Sequence, residues 1–208
     1  MVENPKRIVE AGYDRIAGRF AEWQREITGS SRLRRVEELL ELLPPDPVVL
    51  ELGSGAAVRS TRLLAERGRL TGVDISREQV RRARERVPEA TFIHGDVAEL
   101  ELEDASFDAV LALYVFNHLP RADLRALVPR VATWLRAGGL FLATYGVSDS
   151  HEEVEPDWLG VPMFFSSLGR EESLALLRSS GLDVLEAEVE TIEEPEGEAH
   201  FLWILARK

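Results

Sequence analysis

The 208-residue sequence contains no cysteine. That excludes a disulfide framework, a thiolate nucleophile, a cysteine-ligated zinc site and an iron–sulfur cluster. No metal site is assigned. No apolar run approaches the roughly 20 residues a membrane-spanning helix requires, so no membrane partner is expected. The first residues, Met1 to Arg7, are polar and no signal-type apolar stretch follows them. With the missing cysteines, this makes a cytoplasmic setting the expectation. Lysine is scarce, occurring only as Lys6 and Lys208. Basic groups are also thin in residues 146–200, where 2 arginines face 15 carboxylates, against a net charge of −12 for the whole chain. A phosphate backbone needs a basic footprint, so a nucleic-acid partner is disfavoured.

What is present is an ordinary globular balance, 45% hydrophobic and 30% charged, with no internal repeat or low-complexity tract. Ile8, Val9, Tyr13, Ile16, Ala17, Phe20 and Trp23 recur at helical spacing, and a second helical pattern over about 31–43 stops at Pro44-Pro45. The period then changes. Val48–Leu52, Leu70–Asp74, Thr91–Ile93, Phe107–Tyr114 and Leu140–Tyr145 read as strands alternating with helices, the pattern of a parallel sheet with right-handed crossovers. Ser76 and Gln79 form a capping-box pattern at the head of one of those helices. After a helix near 170–180, Leu182–Ile192 and Ala199–Ala206 read as strands separated by about six residues. So short a connection permits only an antiparallel hairpin.

Three features fall at the ends of successive strands. The turn Glu51-Leu52-Gly53-Ser54-Gly55 delivers glycines and free N–H groups to a helix N-terminus, Asp74 follows about 20 residues later, and Gly95-Asp96 closes the third strand. Singly these are a tight turn, a helix-capping acid and a loop aspartate. Jointly they occupy the strand tips where ligands bind in open α/β sheets, with Asp74 placed to hold ribose hydroxyls.

VLELGSGAA, GVDIS, HGDV, FDAVLALYVFNHL and LRAGGLFLATYG, in that order, resemble the motifs of the class I S-adenosylmethionine-dependent methyltransferases. The resemblance is strong over about 46–146, the terminal hairpin matches that family's antiparallel last strand, and YDRIAGRF is similar to the cap helix of small-molecule members. It implies a Rossmann-like, doubly wound, mostly parallel seven-stranded sheet with a C-terminal antiparallel hairpin and an N-terminal helical cap. The chain is expected to be one domain: cap 1–45, cofactor-binding core 46–146, substrate lid 147–169, and helix with hairpin 170–208. The resemblance implies that Glu51, Gly53, Ser54 and Gly55 line the methionine and ribose part of S-adenosylmethionine. It gives the ribose hydroxyls to Asp74, the adenine to Ile75, Asp96 and Val97, and the cofactor's amino group to the backbone of Ala112 and Leu113. Ala57 departs from the family, which often has a third glycine there, so a slightly shifted loop is expected. Arg59 is either a partner for the cofactor carboxylate or a solvated helix residue.

On the acceptor side, in-line displacement at a sulfonium needs positioning more than a base. If a base acts it is His118, whose ordinary pKa lies near working pH. The region resembles phosphobase methyltransferases, in which a histidine at this position works with a tyrosine of the cap, here Tyr13. A packing histidine and a helix-face aromatic are the alternatives. In residues 147–169, an acidic run (Glu152, Glu153, Glu155, Asp157) accompanies Trp158, Phe164 and Phe165. The stretch reads either as a solvated charge run beside a packed turn or as a lid whose Trp158 and Phe164 wall the substrate. The expected function is methyl transfer from S-adenosylmethionine to a small-molecule acceptor, by a monomer or homodimer. A non-catalytic cofactor-binding module and a nicotinamide-dependent oxidoreductase are the alternatives; Val58, where GxGxxG needs its last glycine, weakens the second. No Asn/Asp-Pro-Pro-aromatic motif follows the fourth strand, which argues against methylation of base or glutamine amino groups.

Overall fold

The computed structural model describes residues 4–208; residues 1–3, the start of the polar N-terminal stretch, lie outside the described residues. Helix α1 (Pro5–Glu26) opens with the Asn4 side chain accepting from the Lys6 N–H and with Pro5 in the first turn, both favoured at a helix start. Helix α2 (Arg32–Glu41) ends before Pro44. Then β1 (Val48–Leu52), α3 (Arg59–Arg67), β2 (Arg69–Asp74), α4 (Arg77–Arg86), β3 (Thr91–His94), β4 (Phe107–Ala112), α5 (Arg121–Trp134) and β5 (Leu135–Gly146) alternate as the periodicity predicts. Ser76 caps α4 by accepting from the Gln79 N–H at 3.1 Å. The chain closes with β6 (Asp149–Trp158), β7 (Val161–Leu168), α6 (Gly169–Ser179), β8 (Asp183–Glu194) and β9 (Gly197–Arg207).

Seven strands form one sheet in the order β3-β2-β1-β4-β5-β9-β8, parallel from β1 through β5, with β9 antiparallel to both β5 and β8. The central strands are buried on both faces, which is why they read as unbroken apolar runs. Leu50, Leu52, Val110 and Phe141 pack with Leu127, Val131 and Leu177 of α5 and α6. Val49, Ala109, Leu111 and Leu142 pack with Val36, Leu39 and Leu64 of α2 and α3. Strand order reverses between β1 and β4, leaving the crevice in which such sheets bind ligands.

Two differences from the sequence reading bear on the site. The segment 147–169 is not an irregular loop. It contains the antiparallel hairpin β6–β7, a separate two-stranded sheet. Its acidic residues Glu152, Glu153, Glu155 and Asp157 are exposed on β6, while β7 buries Val161, Met163 and Phe164 against Ile8, Val9 and Ile16 of α1. The β8–β9 connection is also tighter than expected, with only Pro195-Glu196 between the strands. The acidic composition of β8 has a structural use. Glu188 holds Arg35 at 2.8 Å, and Glu190 accepts from the Ser31 N–H and the Trp203 indole, tying α2 to the sheet.

Candidate functional site

One cavity of about 780 Å3 opens over the tips of β1, β2, β3 and β4, roofed by α1 and the β6–β7 hairpin. Its floor is the turn after β1. Gly53 (φ +67°) and Gly55 (φ +55°) adopt the left-handed conformation that glycine reaches without strain, and the N–H groups of Gly53 and Ser54 both donate to the Val73 carbonyl. Ala57 also takes a positive φ, +54°, so the loop keeps the glycine-like bend that its side chain disfavours. Asp74 is buried at the tip of β2. One carboxylate oxygen accepts from the Gly55 N–H at 2.8 Å and the other from the Ser76 N–H at 2.9 Å. Burial pushes its pKa up to about 6 against those two hydrogen bonds. Glu51, likewise buried, is pushed up to about 7; Thr61 donates to one oxygen, and the other has no protein partner. The Ser54 hydroxyl is another buried group without a partner.

At the β3 end, Asp96 accepts from the Ala98 N–H at 2.8 Å, and Lys6 of α1 bridges it to Asp123 at 2.6 and 3.0 Å. Ile75 and Val97 line the same end. At the β4 end, Leu113 lines the cavity, whereas Ala112 is buried in the sheet core outside the lining. The Leu113 carbonyl accepts from Arg32 at 3.2 Å, and that guanidinium lies 4.7 Å from the centre of the Tyr114 ring, with a buried Nε lacking a partner. Tyr114 itself has φ +60°. Arg59 is exposed at the rim, at the head of α3.

Opposite the glycine turn, Tyr13 and His118 meet. Tyr13 Oη lies 2.8 Å from His118 Nε2, and His118 Nδ1 lies 2.9 Å from the Phe164 carbonyl. A carbonyl only accepts, so Nδ1 carries the proton and Nε2 presents a lone pair to the tyrosine hydroxyl. Burial lowers the His118 pKa to about 4 and raises that of Tyr13. The imidazole is therefore neutral at neutral pH. Trp158 lines the cavity beside this pair, with Phe165 as its neighbour. Phe164 does not line it. The alternation of β7 turns that ring into the contact with α1, and its contribution to the site is the carbonyl that orients His118. Lys6, Arg32 and Tyr114 are thus wall residues that sequence reading did not assign to the site, while Phe165 is an aromatic of the segment it expected to wall the substrate.

The cavity fits the cofactor that the strand-tip motifs imply. Two unpartnered buried oxygens, on Glu51 and Ser54, together with Asp74 and Asp96 in the wall, offer acceptors to a ligand bearing an ammonium, a ribose and an adenine amino group. Among the described residues there is no group of three or more histidine, aspartate and glutamate side chains placed to hold a metal ion, and no helix is long and apolar enough to cross a membrane. The antiparallel last strand departs from the all-parallel order of dinucleotide-binding folds.

Residues 49–139 match the family model described as a methyltransferase domain. Trans-aconitate 2-methyltransferase of Enterobacter sp. is 37% identical over 117 residues, covering 54% of this chain and 45% of that protein. Phosphoethanolamine N-methyltransferase 1 of Triticum aestivum is 28% identical over 146 residues, covering 64% of this chain and 29% of that one. The chain spans less than half the length of these curated relatives. Among solved structures, 1,6-didemethyltoxoflavin-N1-methyltransferase of Burkholderia thailandensis, bound to 1,6-didemethyltoxoflavin and S-adenosylhomocysteine, superposes with a TM-score of 0.73 at 20% identity. That match covers 100% of this chain and 92% of that one. The matched model places a methyltransferase domain at residues 49–139, and the sheet order and strand-tip residues are similar to those of the class I S-adenosylmethionine-dependent methyltransferases.

Proposed function

We propose that the protein transfers the methyl group of S-adenosylmethionine to a small-molecule acceptor. The observation that carries this reading is the Tyr13–His118 hydrogen bond, held in the wall of the same cavity as the glycine turn, Asp74 and Asp96. When bound, the cofactor supplies a methyl group already activated on a sulfonium. Glu51 and the Gly53-Ser54-Gly55 backbone hold its amino-acid part, Asp74 its ribose hydroxyls, Asp96 its adenine amino group, and Ile75 and Val97 the faces of the base. Arg32, whose buried Nε is free, is a second candidate beside Arg59 for a carboxylate. Leu113 keeps its assignment through its backbone, but Ala112 acts only as the strand beneath.

The cap helix and hairpin exclude water and fix the acceptor, the main sources of acceleration for a displacement at an activated carbon. Tyr13 receives the acceptor's proton as it passes its own to His118 Nε2. A buried imidazole with a pKa near 4 is a weak base. The proton therefore moves only as methyl bonding makes the acceptor atom strongly acidic. Relatives named for trans-aconitate, phosphoethanolamine and 1,6-didemethyltoxoflavin support a small-molecule acceptor. The cysteine-free composition supports a cytoplasmic setting, and a monomer or homodimer serves the reading equally. The test is acceptor-dependent formation of S-adenosylhomocysteine over a panel of small molecules, with cofactor binding measured in parallel. Turnover with at least one acceptor is expected; cofactor binding with no turnover across the panel contradicts the proposal.

A further inference from the structure

Near the C-terminal end of α1, three large rings meet in the cavity wall. Phe20 and Trp23 are stacked at 19° with centroids 5.7 Å apart, and Trp158 of the hairpin lies 5.9 Å from each, crossing Trp23 at 71°. The result is a corner of electron-rich rings in the lining, an arrangement that attracts a cation. Carboxylates stand beside it. Glu196 accepts from the Trp23 indole at 2.8 Å, and Glu194, two residues earlier, lines the cavity. Glu194 is half-buried, and among the described residues no salt bridge reaches it; burial and the charge of Glu196 hold its carboxyl above the ordinary carboxylate range. The positive groups of the wall are placed elsewhere. Lys6 is committed to Asp96 and Asp123, Arg32 to the Leu113 carbonyl and the Tyr114 ring, and Arg59 stands at the glycine-turn end. Arg25, in the last turn of α1, is exposed at the rim. Backbone hydrogen bonds of 3.1 Å in both directions between Thr28 and Glu193 fix the end of α1 to β8, so rings and carboxylates are in place before a ligand arrives.

Resting on the methyltransferase reading, we propose that this corner is a cation-binding subsite. The acceptor carries a positively charged nitrogen, seated against Trp23 and Trp158 and paired with Glu194, apart from the atom that is methylated. The separation follows from α1. Tyr13 and Trp23 are ten residues apart, so their backbone positions differ by about 15 Å along the helix axis, with Trp158 between them. The Tyr13–His118 pair faces the reacting atom, and the charge is held further along the helix. A protonated or quaternary nitrogen has no lone pair with which to attack a sulfonium methyl, and a neighbouring carboxylate keeps the proton on. The charged group is therefore a handle, and the assignment does not depend on which element is methylated. A half-buried carboxylate facing a cavity without a counter-ion is stabilised by a cationic ligand, whereas an anionic group there adds like-charge repulsion.

Three probes of one skeleton test this: 2-phenylethylamine, 2-phenylethanol and 3-phenylpropanoate, which at neutral pH are cationic, uncharged and anionic. Each is titrated into the protein loaded with S-adenosylhomocysteine, following tryptophan fluorescence, and then assayed for methylation with S-adenosylmethionine. The amine is expected to bind at least about tenfold more tightly than the alcohol or the carboxylate. It should also come through unmethylated, because its nitrogen is held away from Tyr13. Glu194→Gln should weaken the amine about tenfold while leaving the affinities for the alcohol and for S-adenosylhomocysteine unchanged, and Trp23→Leu should weaken the amine more than the alcohol. An amine that binds no more tightly than the alcohol or the carboxylate, an amine affinity that Glu194→Gln does not selectively lower, or N-methylation of the amine overturns the inference and leaves the methyltransferase reading standing. Failure of S-adenosylhomocysteine itself to bind overturns both.

Discussion

Arg19 donates to the Leu159 carbonyl at 2.6 Å, so the cap helix is latched to the turn of the hairpin that carries Trp158. Tyr13 and Trp158 therefore keep their relative positions through a bond that touches no ligand. Arg19→Ala should cost only about 0.5–1.5 kcal/mol of stability, because the side chain is exposed. Its KM for the acceptor should rise several-fold while affinity for S-adenosylhomocysteine is unchanged. Steady-state kinetics with calorimetry separates the two, and a parallel loss of cofactor affinity would show that the latch holds the whole site.

Tyr13→Phe removes the hydroxyl that reaches His118 and leaves the ring contacts with Phe20 and Trp158 in place. General acid–base groups contribute about 10²–10⁴-fold, so kcat should fall by about 10² or more with cofactor affinity retained. His118→Gln should fall similarly. The double variant should be little worse than either single one, because the two act as one relay. Full activity in Tyr13→Phe would remove the relay from the mechanism.

The buried acids make cofactor binding depend on pH. Glu51 and Asp74 have folded pKa values of about 7 and 6 against ordinary values of 4.5 and 3.8. In those windows the folded protein holds protons that the unfolded chain has lost, so their contribution to stability declines as pH rises through them. His118 runs the other way: with a folded pKa near 4 against 6.5, stability declines as pH falls from about 6.5 toward 4. A cationic ligand favours the ionised acids. Affinity for S-adenosylmethionine should thus rise as pH increases from about 6 to 7, with proton release on binding, and Glu51→Gln should remove the upper part of that rise. Calorimetry in buffers of different ionisation enthalpy measures the protons directly; a pH-independent affinity would rule out coupling to these acids.

The two loop glycines should differ. A methyl added at Gly53 meets Val115 at 2.6 Å on a backbone of φ +67°, whereas one at Gly55, φ +55°, has nothing within 4 Å. Gly55→Ala should cost about 1–2 kcal/mol from its conformation alone. Gly53→Ala should cost more and weaken the cofactor at least about tenfold. Thermal melts rank the pair, and equal effects would contradict the stated contact.

The parallel core was legible because β1, β2, β4 and β5 are apolar where both faces are covered, and the strand-tip acids follow from that register. The β6–β7 hairpin was not. Strand β6 is exposed along nearly its whole length, and its sequence DSHEEVEPDW carries no alternating apolar face. The Phe164-Phe165 pair shows a related limit. Adjacent strand residues point to opposite faces, and composition alone does not say which one faces the ligand. Lys6 and Arg32 gave no local sign of their place, since their partners lie far along the chain. Tyr13 and His118 are 105 residues apart, and a family resemblance rather than their spacing drew attention to them.

Titration calorimetry with S-adenosylhomocysteine, on the unaltered protein and on Asp74→Ala, addresses the cofactor assignment directly. The expected result is saturable one-to-one binding that weakens by about tenfold or more in the variant, which loses acceptors for both the loop N–H groups and the ribose. No heat and no rise in melting temperature with the unaltered protein, or equal affinity in both, would contradict it.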